Sequence, residues 1–462
     1  MNRDPGRRRW LGRAAALSAA LLSAGASRAI GPVRPASPVG AAGPGGGAGP
    51  APGPPADAAG HRCVGEFEPM STVWLSYDAG HESLTAGLVA ALRDHVALRF
   101  VVPDGRAETA VRELLVARGQ GPRPGEAPLE FLHEPLASFF VRDPVVFTRG
   151  PRGEPGVIDF RWSQYGVAAW CRRRHADPRV AADCAANADY TREDFDAAFA
   201  RRLGARLHPS RLALEGGGFE TNGRGLVLAN AELLDNRNPG VDRATLERWL
   251  LALPGLRKVI WLPGGLAEDP LLRATITGDF VAWGAGGHTD EFVRFADART
   301  VLLAWPDDAD VAAHPVSRLT RQRMARCLAV LQRERDADGR PLVVLKVPMP
   351  RPVQRYVYLA ETADTAHPRA RSWAVEHFPP RERRRAGQRL TEMAMASYLN
   401  FVVANGVVVL PDYRPHGTSA ERQRRVQRVF ERAFPGRQIR YVDAITANWV
   451  GGGLHCATLN QA

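Results

Sequence analysis

Apolar and polar positions follow two rhythms along this chain. Compact apolar runs at 72–75, 98–102, 226–228, 258–262, 301–305, 342–347 and 407–410 have strand length and are bounded by turn residues. Between several of them, at 84–94, 108–118, 244–253, 317–335 and 420–434, apolar residues recur at the three- and four-residue spacing of one helix face. The order of elements predicts a mixed α/β fold. Near residue 405 two apolar stretches are joined through Ala404-Asn405-Gly406, and Asn-Gly between strands predicts a tight hairpin. Hairpins among helices argue against a purely parallel, doubly wound sheet.

The pattern changes at the N-terminal end. Arg7, Arg8 and Arg9 precede Trp10-Leu11 and an uncharged stretch over 14–27 that ends in small residues. This predicts a twin-arginine-like export signal over 1–29, too short to span a bilayer, with an arginine-rich start from composition bias as the alternative. The expected location is therefore periplasmic or extracellular, with no stable membrane insertion after cleavage. Residues 31–60 hold 8 Pro and 9 Gly and almost nothing large and apolar, so 30–60 is expected to be a disordered linker. A folded body is expected over 61–462.

Composition narrows the functional classes. The 462 residues are 45% hydrophobic and 24% charged, which excludes wholesale disorder, collagen and a multi-span membrane protein. The net charge is 61 − 49 = +12, but residues 1–29 carry six arginines and one aspartate, so the body without them has 55 − 48 = +7. All the cations except Lys258 and Lys346 are arginines, scattered along the chain without zinc-finger spacing or a basic aromatic platform. A coding bias accounts for this, and no nucleic-acid partner is expected.

Five cysteines leave at least one thiol over if disulfides form. Cys171 and Cys184 flank a polar loop and are the expected pair. Cys327 shares a helical face with Met324, Leu328 and Leu331 and reads as core. Cys456 differs, because it follows Gly451-Gly452-Gly453 and is flanked by His and Thr, which suits an approachable thiolate.

Other polar groups also interrupt apolar context. Arg142-Asp143 lies inside Phe139-Phe140-Val141 and Pro144-Val145-Val146-Phe147, where an internal salt bridge would explain it. Glu215 precedes three glycines, which permit close approach of a ligand or simply a surface turn. His288 and Asp290 leave a glycine turn two residues apart, and on an extended segment they would share a face. Asn400 sits in Ser397-Tyr398-Leu399-Asn400-Phe401, where a capped or paired amide is the usual cause. A thiol with a distant histidine and carboxylates is an arrangement for nucleophilic catalysis.

Taken in order, Glu66-Phe67-Glu68-Pro69-Met70, Phe140-Val141-Arg142-Asp143, Leu214-Glu215-Gly216-Gly217, Gly287-His288-Thr289-Asp290, Ser397-Tyr398-Leu399-Asn400-Phe401 and Gly453-Leu454-His455-Cys456 resemble the agmatine deiminase and bacterial (Porphyromonas-type) peptidylarginine deiminase family. The resemblance runs from Glu66 to Thr458 and implies the pentein fold, a five-bladed α/β propeller of ββαβ-type units. Near-equal steps of 72 and 73 residues separate Asp143, Glu215 and His288, as one functional residue per blade would produce. Insertions are expected around 317–384 and 163–190.

The implied activity is hydrolysis of a guanidinium to a ureido group and ammonia through a covalent cysteine amidino intermediate. The implied substrate is agmatine, giving N-carbamoylputrescine, or peptidyl-arginine, giving citrulline. By resemblance, Cys456 is the nucleophile, His288 the general acid/base, Asp143 and Asp290 the guanidinium-binding carboxylates and Glu215 an orienting carboxylate. Asn400 and Phe140 are implied substrate contacts. Phe140 stands where the family often carries Trp, and Gly218 where it carries Asn or Ser, so the pocket wall is expected to differ. No cofactor and no metal are implied. The alternatives are an amidinotransferase on the same fold and a catalytically silent arginine-binding protein.

Overall fold

The structure, a computed structural model, describes residues 60–125, 128–186, 194–362 and 373–462. The expected signal over 1–29, and the expected linker apart from Gly60, lie outside the described residues.

Five blades share one plan. In each, an antiparallel strand pair is followed by a helix and a third strand that lies parallel to its neighbour. In chain order the second blade pairs Val146–Arg149 with Pro155–Arg161 and returns through helix Phe195–Leu203 to Arg206–Ala213. The third pairs Glu220–Thr221 with Leu226–Asn230 and returns through Arg243–Leu251 to Lys258–Leu262. The fourth uses Val293–Phe295, Thr300–Trp305, helix Pro315–Arg333 and Val343–Pro348. The fifth uses Val402–Ala404, Val407–Pro411, helix Ala420–Ala433 and Gln438–Val442.

The first blade is assembled from both ends of the folded body. Thr72–Leu75 runs parallel to Ala97–Val102, which pairs with Glu130–His133. Its antiparallel partner is the late strand Thr458–Gln461, in register Thr72↔Gln461 to Leu75↔Thr458. Trp74 Nε1 donates to Gln461 Oε1 at 2.8 Å and fastens this closure. The arrangement is the five-bladed propeller of ββαβ units.

Local chemistry explains the elements. Inner strands such as Leu226–Asn230 and Val407–Pro411 are buried along their whole length, so they read as continuous apolar runs rather than alternating ones. The outer helices are amphipathic: Ala420–Ala433 buries Gln423, Val426, Phe430 and Ala433 and turns Arg424, Arg428 and Arg432 outward. Its first turn is capped by Ser419, whose side chain accepts from Arg422 N, and Asp242 caps Arg243–Leu251 in the same way. The largest apolar cluster joins the third, fourth and fifth blades and includes Cys327, the core residue expected from its helical face.

The insertions differ from expectation in one place. Helix Pro315–Arg333 and strand Val343–Pro348 belong to the fourth blade, so the chain added beyond the blade plan begins after Pro348 and not at residue 317. The apolar face of that helix is needed to cover the blade, which is why it cannot be extra. The added chain joins Leu271–Thr277 and Phe280–Ala285 in a separate sheet with Gln354–Ala360, Trp373–Ala374 and Arg389–Met393. The insertion expected over 163–190 is present as helices Val167–Arg174 and Pro178–Ala186, bridged by the Cys171–Cys184 disulfide. Among the described residues no helix is long and apolar enough to cross a membrane.

Candidate active site

The blade plan delivers one turn per blade to the propeller axis. Asp143 precedes strand Val146–Arg149, Glu215 precedes Glu220–Thr221, His288 and Asp290 precede Val293–Phe295, Asn400 precedes Val402–Ala404 and Cys456 precedes Thr458–Gln461. The near-equal spacing of the first three is thus the spacing of equivalent turns.

These turns are tight for identifiable reasons. Gly286 and Gly287 both adopt left-handed backbone, with φ of +91° and +95°, and wrap four successive N–H groups around the Asp269 carboxylate. Its Oδ1 accepts from Ala285 N at 2.5 Å and Gly286 N at 3.0 Å, and its Oδ2 from Gly287 N and His288 N at 2.9 Å each. The chain then winds into a 3₁₀ turn over Thr289–Glu291. His288 and Asp290 are therefore not two positions of one extended face, as their spacing predicted. His288 turns towards Glu215 and Asp143, while Asp290 turns towards His455 and Cys456.

At Gly217 a Cβ would lie 2.4 Å from His288 Nδ1, 3.0 Å from Asp143 Oδ1 and 3.1 Å from Asp290 Oδ2, so this glycine sits where three site residues converge. Gly218 accounts for one departure from the family pattern: its Cβ would fall 2.5 Å from Leu233 Cδ2 and 2.9 Å from Leu214 Cδ1.

The side chains form linked pairs. Glu215 Oε1 and Oε2 each lie 2.8 Å from Arg237 Nε, and Oε2 lies 3.3 Å from His288 Nε2. Asp143 Oδ1 is 3.8 Å from His288 Nδ1, and its Oδ2 accepts from Tyr165 Oη at 2.8 Å. Cys456 Sγ lies 3.5 Å from Asp290 Oδ2 and receives Asn400 Nδ2 at 3.2 Å. Asn400 is fixed on both sides, donating to Glu291 Oε1 at 2.6 Å and accepting from His455 N at 2.8 Å. All the predicted residues meet here, with Phe140 on the wall of the cavity above. The Arg142-Asp143 pair is not a salt bridge, because Arg142 turns the other way and pairs with Glu66.

Electrostatics sort these groups by ionisation. Burial would lower the imidazole of His288, but its hydrogen bond to Glu215 and the charges of Asp143, Glu215 and Asp290 raise it to about 9. Burial would raise Glu215, yet Arg237 and His288 keep it below its ordinary range. Burial likewise opposes ionisation of Asp290, and His455, His288 and Arg294 overcome it. Asp143 is raised by burial and by the neighbouring Asp290 and Glu215, against the pull of His288 and Tyr165. The Cys456 thiol is pushed well up by burial and then by Asp290, Asp143 and Glu291, so the resting group is a neutral thiol, not the thiolate its glycine-rich flank suggested.

Three buried polar atoms around this thiol have no hydrogen-bond partner among the described residues: His288 Nδ1, Asp290 Oδ1 and Glu291 Oε2. Buried polar atoms are normally paired, so the ionised Asp290 Oδ1 marks a place for a donor-bearing guest, while the His288 imidazolium turns Nδ1 to the same space as a donor. Asp290, Glu291 and Cys456 each bring a ligand-type atom within 4.8 Å of the others, a geometry able to hold a cation of either metal or organic kind.

Several site residues escaped the sequence argument. Glu66 receives Arg142, Arg294 Nη2 at 2.5 Å and His455 Nε2 at 2.7 Å, and His455 Nδ1 reaches Asp290 Oδ2 at 2.7 Å. Their motif neighbours were visible, but their roles depend on contacts between segments 76 to 389 residues apart. Arg237, Asp269 and Tyr165 carry no local signal at all.

A cavity of about 690 Å³ opens above Asp143, walled by Tyr77, Phe139, Phe140, Tyr165, Leu272 and Trp283. No arginine or lysine is among its described lining residues.

Comparison with known proteins adds to this geometry. A family model described as Porphyromonas-type peptidyl-arginine deiminase matches residues 62–462. An agmatine deiminase from Pseudomonas aeruginosa (strain LESB58) is 30% identical over 261 residues, 56% of this chain and 59% of its own length. A Streptomyces avermitilis relative is 27% identical over 422 residues, 87% of this chain and 98% of its own. The matched stretch thus spans about three fifths of the first curated relatives it resembles. Among solved structures, the agmatine deiminase of Enterococcus faecalis superposes with a TM-score of 0.60 at 22% identity, covering 88% of this chain and 98% of that one. A C. jejuni agmatine deiminase with substrate bound gives 0.56 at 17%, covering 87% and 96%. At these identities the structures establish the shared fold.

Proposed function

Because the chain belongs to the Porphyromonas-type peptidyl-arginine deiminase family, we propose that it hydrolyses a guanidinium to a ureido group and ammonia. The observation that carries this reading is the unpartnered buried acceptor Asp290 Oδ1 beside a thiol flanked by carboxylates. A guanidinium offers five donors in a planar fork and one positive charge, which fits acceptors on two sides of its central carbon.

In this scheme Asp143 and Asp290 grip the guanidinium and centre its carbon over Cys456 Sγ. The incoming cation offsets the carboxylates that hold the thiol neutral, and the thiol proton leaves to solvent as the substrate enters. The thiolate attacks the carbon, and His288, protonated up to about pH 9, gives its proton to the departing ammonia. The neutral imidazole then takes a proton from water, which attacks the amidino-cysteine and releases the ureido product. Glu215, clamped by Arg237, holds the His288 ring through Nε2.

Agmatine is the first substrate to test. The cavity has a small-molecule size, and its lining offers carboxylates Asp78 and Asp143 and no arginine or lysine for the α-carboxylate of free arginine. Peptidyl-arginine is the second reading, because that substrate also lacks a free α-carboxylate. An exported enzyme would meet both outside the cytoplasm, and export itself is part of the proposal. The deciding experiment assays agmatine, free arginine and an arginine-containing peptide side by side for ammonia, without added amine. Ammonia release separates hydrolysis from amidino transfer. Cys456→Ala and Cys456→Ser are expected to lose at least about 10³-fold in kcat, and unaltered ammonia release by either would overturn the covalent scheme.

A further inference from the structure

We infer that Tyr165 is a positioning residue acting through Asp143, and that the Cys171–Cys184 disulfide braces the inserted segment that holds it there. The inference rests on the guanidine-hydrolysis reading and adds to it a residue and a brace outside the blade plan.

The segment begins with a backbone that only specific contacts could justify. Gln164 and Tyr165 both adopt left-handed φ of 54°, unusual for residues with side chains. Two hydroxyls are aimed at site carboxylates as a result: Tyr165 Oη donates to Asp143 Oδ2 at 2.8 Å, and Ser163 Oγ donates to Glu215 Oε1 at 3.3 Å. Leu272, the third non-glycine residue of left-handed backbone in this region, lines the same cavity and packs with Val167 and Cys171 against Tyr165 and Trp170. Trp170 Nε1 donates to Arg273 O at 2.9 Å, docking the first helix on the added sheet. The disulfide ties that helix to the second one, so the position of Tyr165 depends on a bond formed in an oxidising compartment.

Asp143 is faced by Tyr165 from this segment, by His288 and Asp290 from the fourth-blade turn, by Glu215 and the Gly217 N–H from the third-blade turn, and by Cys456 from the closing turn. Burial, Asp290 and Glu215 disfavour its ionised form, whereas His288 and the phenol favour it. Removing the phenol hydroxyl raises the pKa of Asp143 further, so the ionised carboxylate needed for the guanidinium is lost at a higher pH.

The test measures kcat and KM for agmatine across pH with wild type and Tyr165→Phe, each oxidised and after treatment with a dithiol. The dithiol gives two electrons and two protons to the bridge, leaving thiols at Cys171 and Cys184 and becoming a cyclic disulfide itself. Tyr165→Phe is expected to raise KM about tenfold, to change kcat by less than about threefold, and to move the acid limb of kcat/KM to higher pH. Reduction of wild type is expected to reproduce these changes, and reduction of Tyr165→Phe to add nothing. An active wild type whose Tyr165→Phe variant keeps its KM and acid limb would overturn the positioning role. Reduction that affects both enzymes equally, or neither, would overturn the brace. A wild type inert towards every guanidine would instead overturn the functional reading on which the inference rests.

Discussion

Around the Cys456 thiol, opposite charges are unequal: carboxylates press on it from Asp290, Asp143 and Glu291, and the proposed guanidinium substrate would correct the imbalance. One consequence is testable through His288. Its ring stays protonated to about pH 9 because Glu215, Asp143 and Asp290 outweigh the burial that would lower it. In the substrate complex, where the thiol proton has already left, the kcat profile for agmatine should therefore fall on the alkaline side well above the ordinary histidine value of 6.5, towards about 9. An alkaline limb close to 6.5 would show that the carboxylates do not charge the ring. The sequence revealed the candidate residues in two ways: Asp143 interrupts an apolar run between Val141 and Val145, whereas Glu215, His288 and Cys456 stand close to glycine runs. Their partners were hidden: Arg237 sits at the end of a short polar helix and Asp269 in a loop, and only folding brings them against Glu215 and the glycines before His288.

At the scale of elements, the active parts are the turns that enter each blade, and the strands serve to aim them. Gly217 shows how little room a turn has. Gly217→Ala would drive a methyl group into the space shared by His288, Asp143 and Asp290. We expect kcat/KM to drop at least about 100-fold, as misplacement of about 1 Å commonly costs, with the thermal midpoint shifted only slightly. Activity within tenfold of wild type would mean that the turn can yield. The same strands explain which part of the fold the sequence disclosed. Runs such as Val407–Pro411 are buried throughout and stood out as apolar blocks. The second blade did not, because Pro155, Gly156 and Pro209 and the arginines at 149, 161, 206 and 211 break its pattern. The opening strands of the third and fourth blades, Glu220–Thr221 and Val293–Phe295, are too short to carry a period.

For the whole molecule, Glu66 is the point where separate blades are tied together. It binds Arg142 before the second blade, Arg294 in the fourth and His455 beside the closing strand. Burial opposes its charge, but Arg142, His455 and Arg294 hold its pKa well below the ordinary 4.5. Its folded-state pKa is depressed, so its contribution to stability is fully present above about pH 4.5 and is lost as pH falls through the folded value. Glu66→Gln should destabilise the neutral-pH protein by about 3–5 kcal/mol, read from urea unfolding. The difference from wild type should shrink on acidification, and a pH-independent difference would place the effect elsewhere. Closure of the ring has a consequence of its own. The strand that completes the first blade, Thr458–Gln461, follows Cys456 immediately, and Cys456 lies 56 positions after Asn400. On a ribosome, which makes the chain from its N-terminus, Cys456 is thus the last member of the site to be synthesised and the ring is sealed only after it. A nascent chain that has emerged only as far as its middle blades therefore still lacks the proposed nucleophile, Cys456.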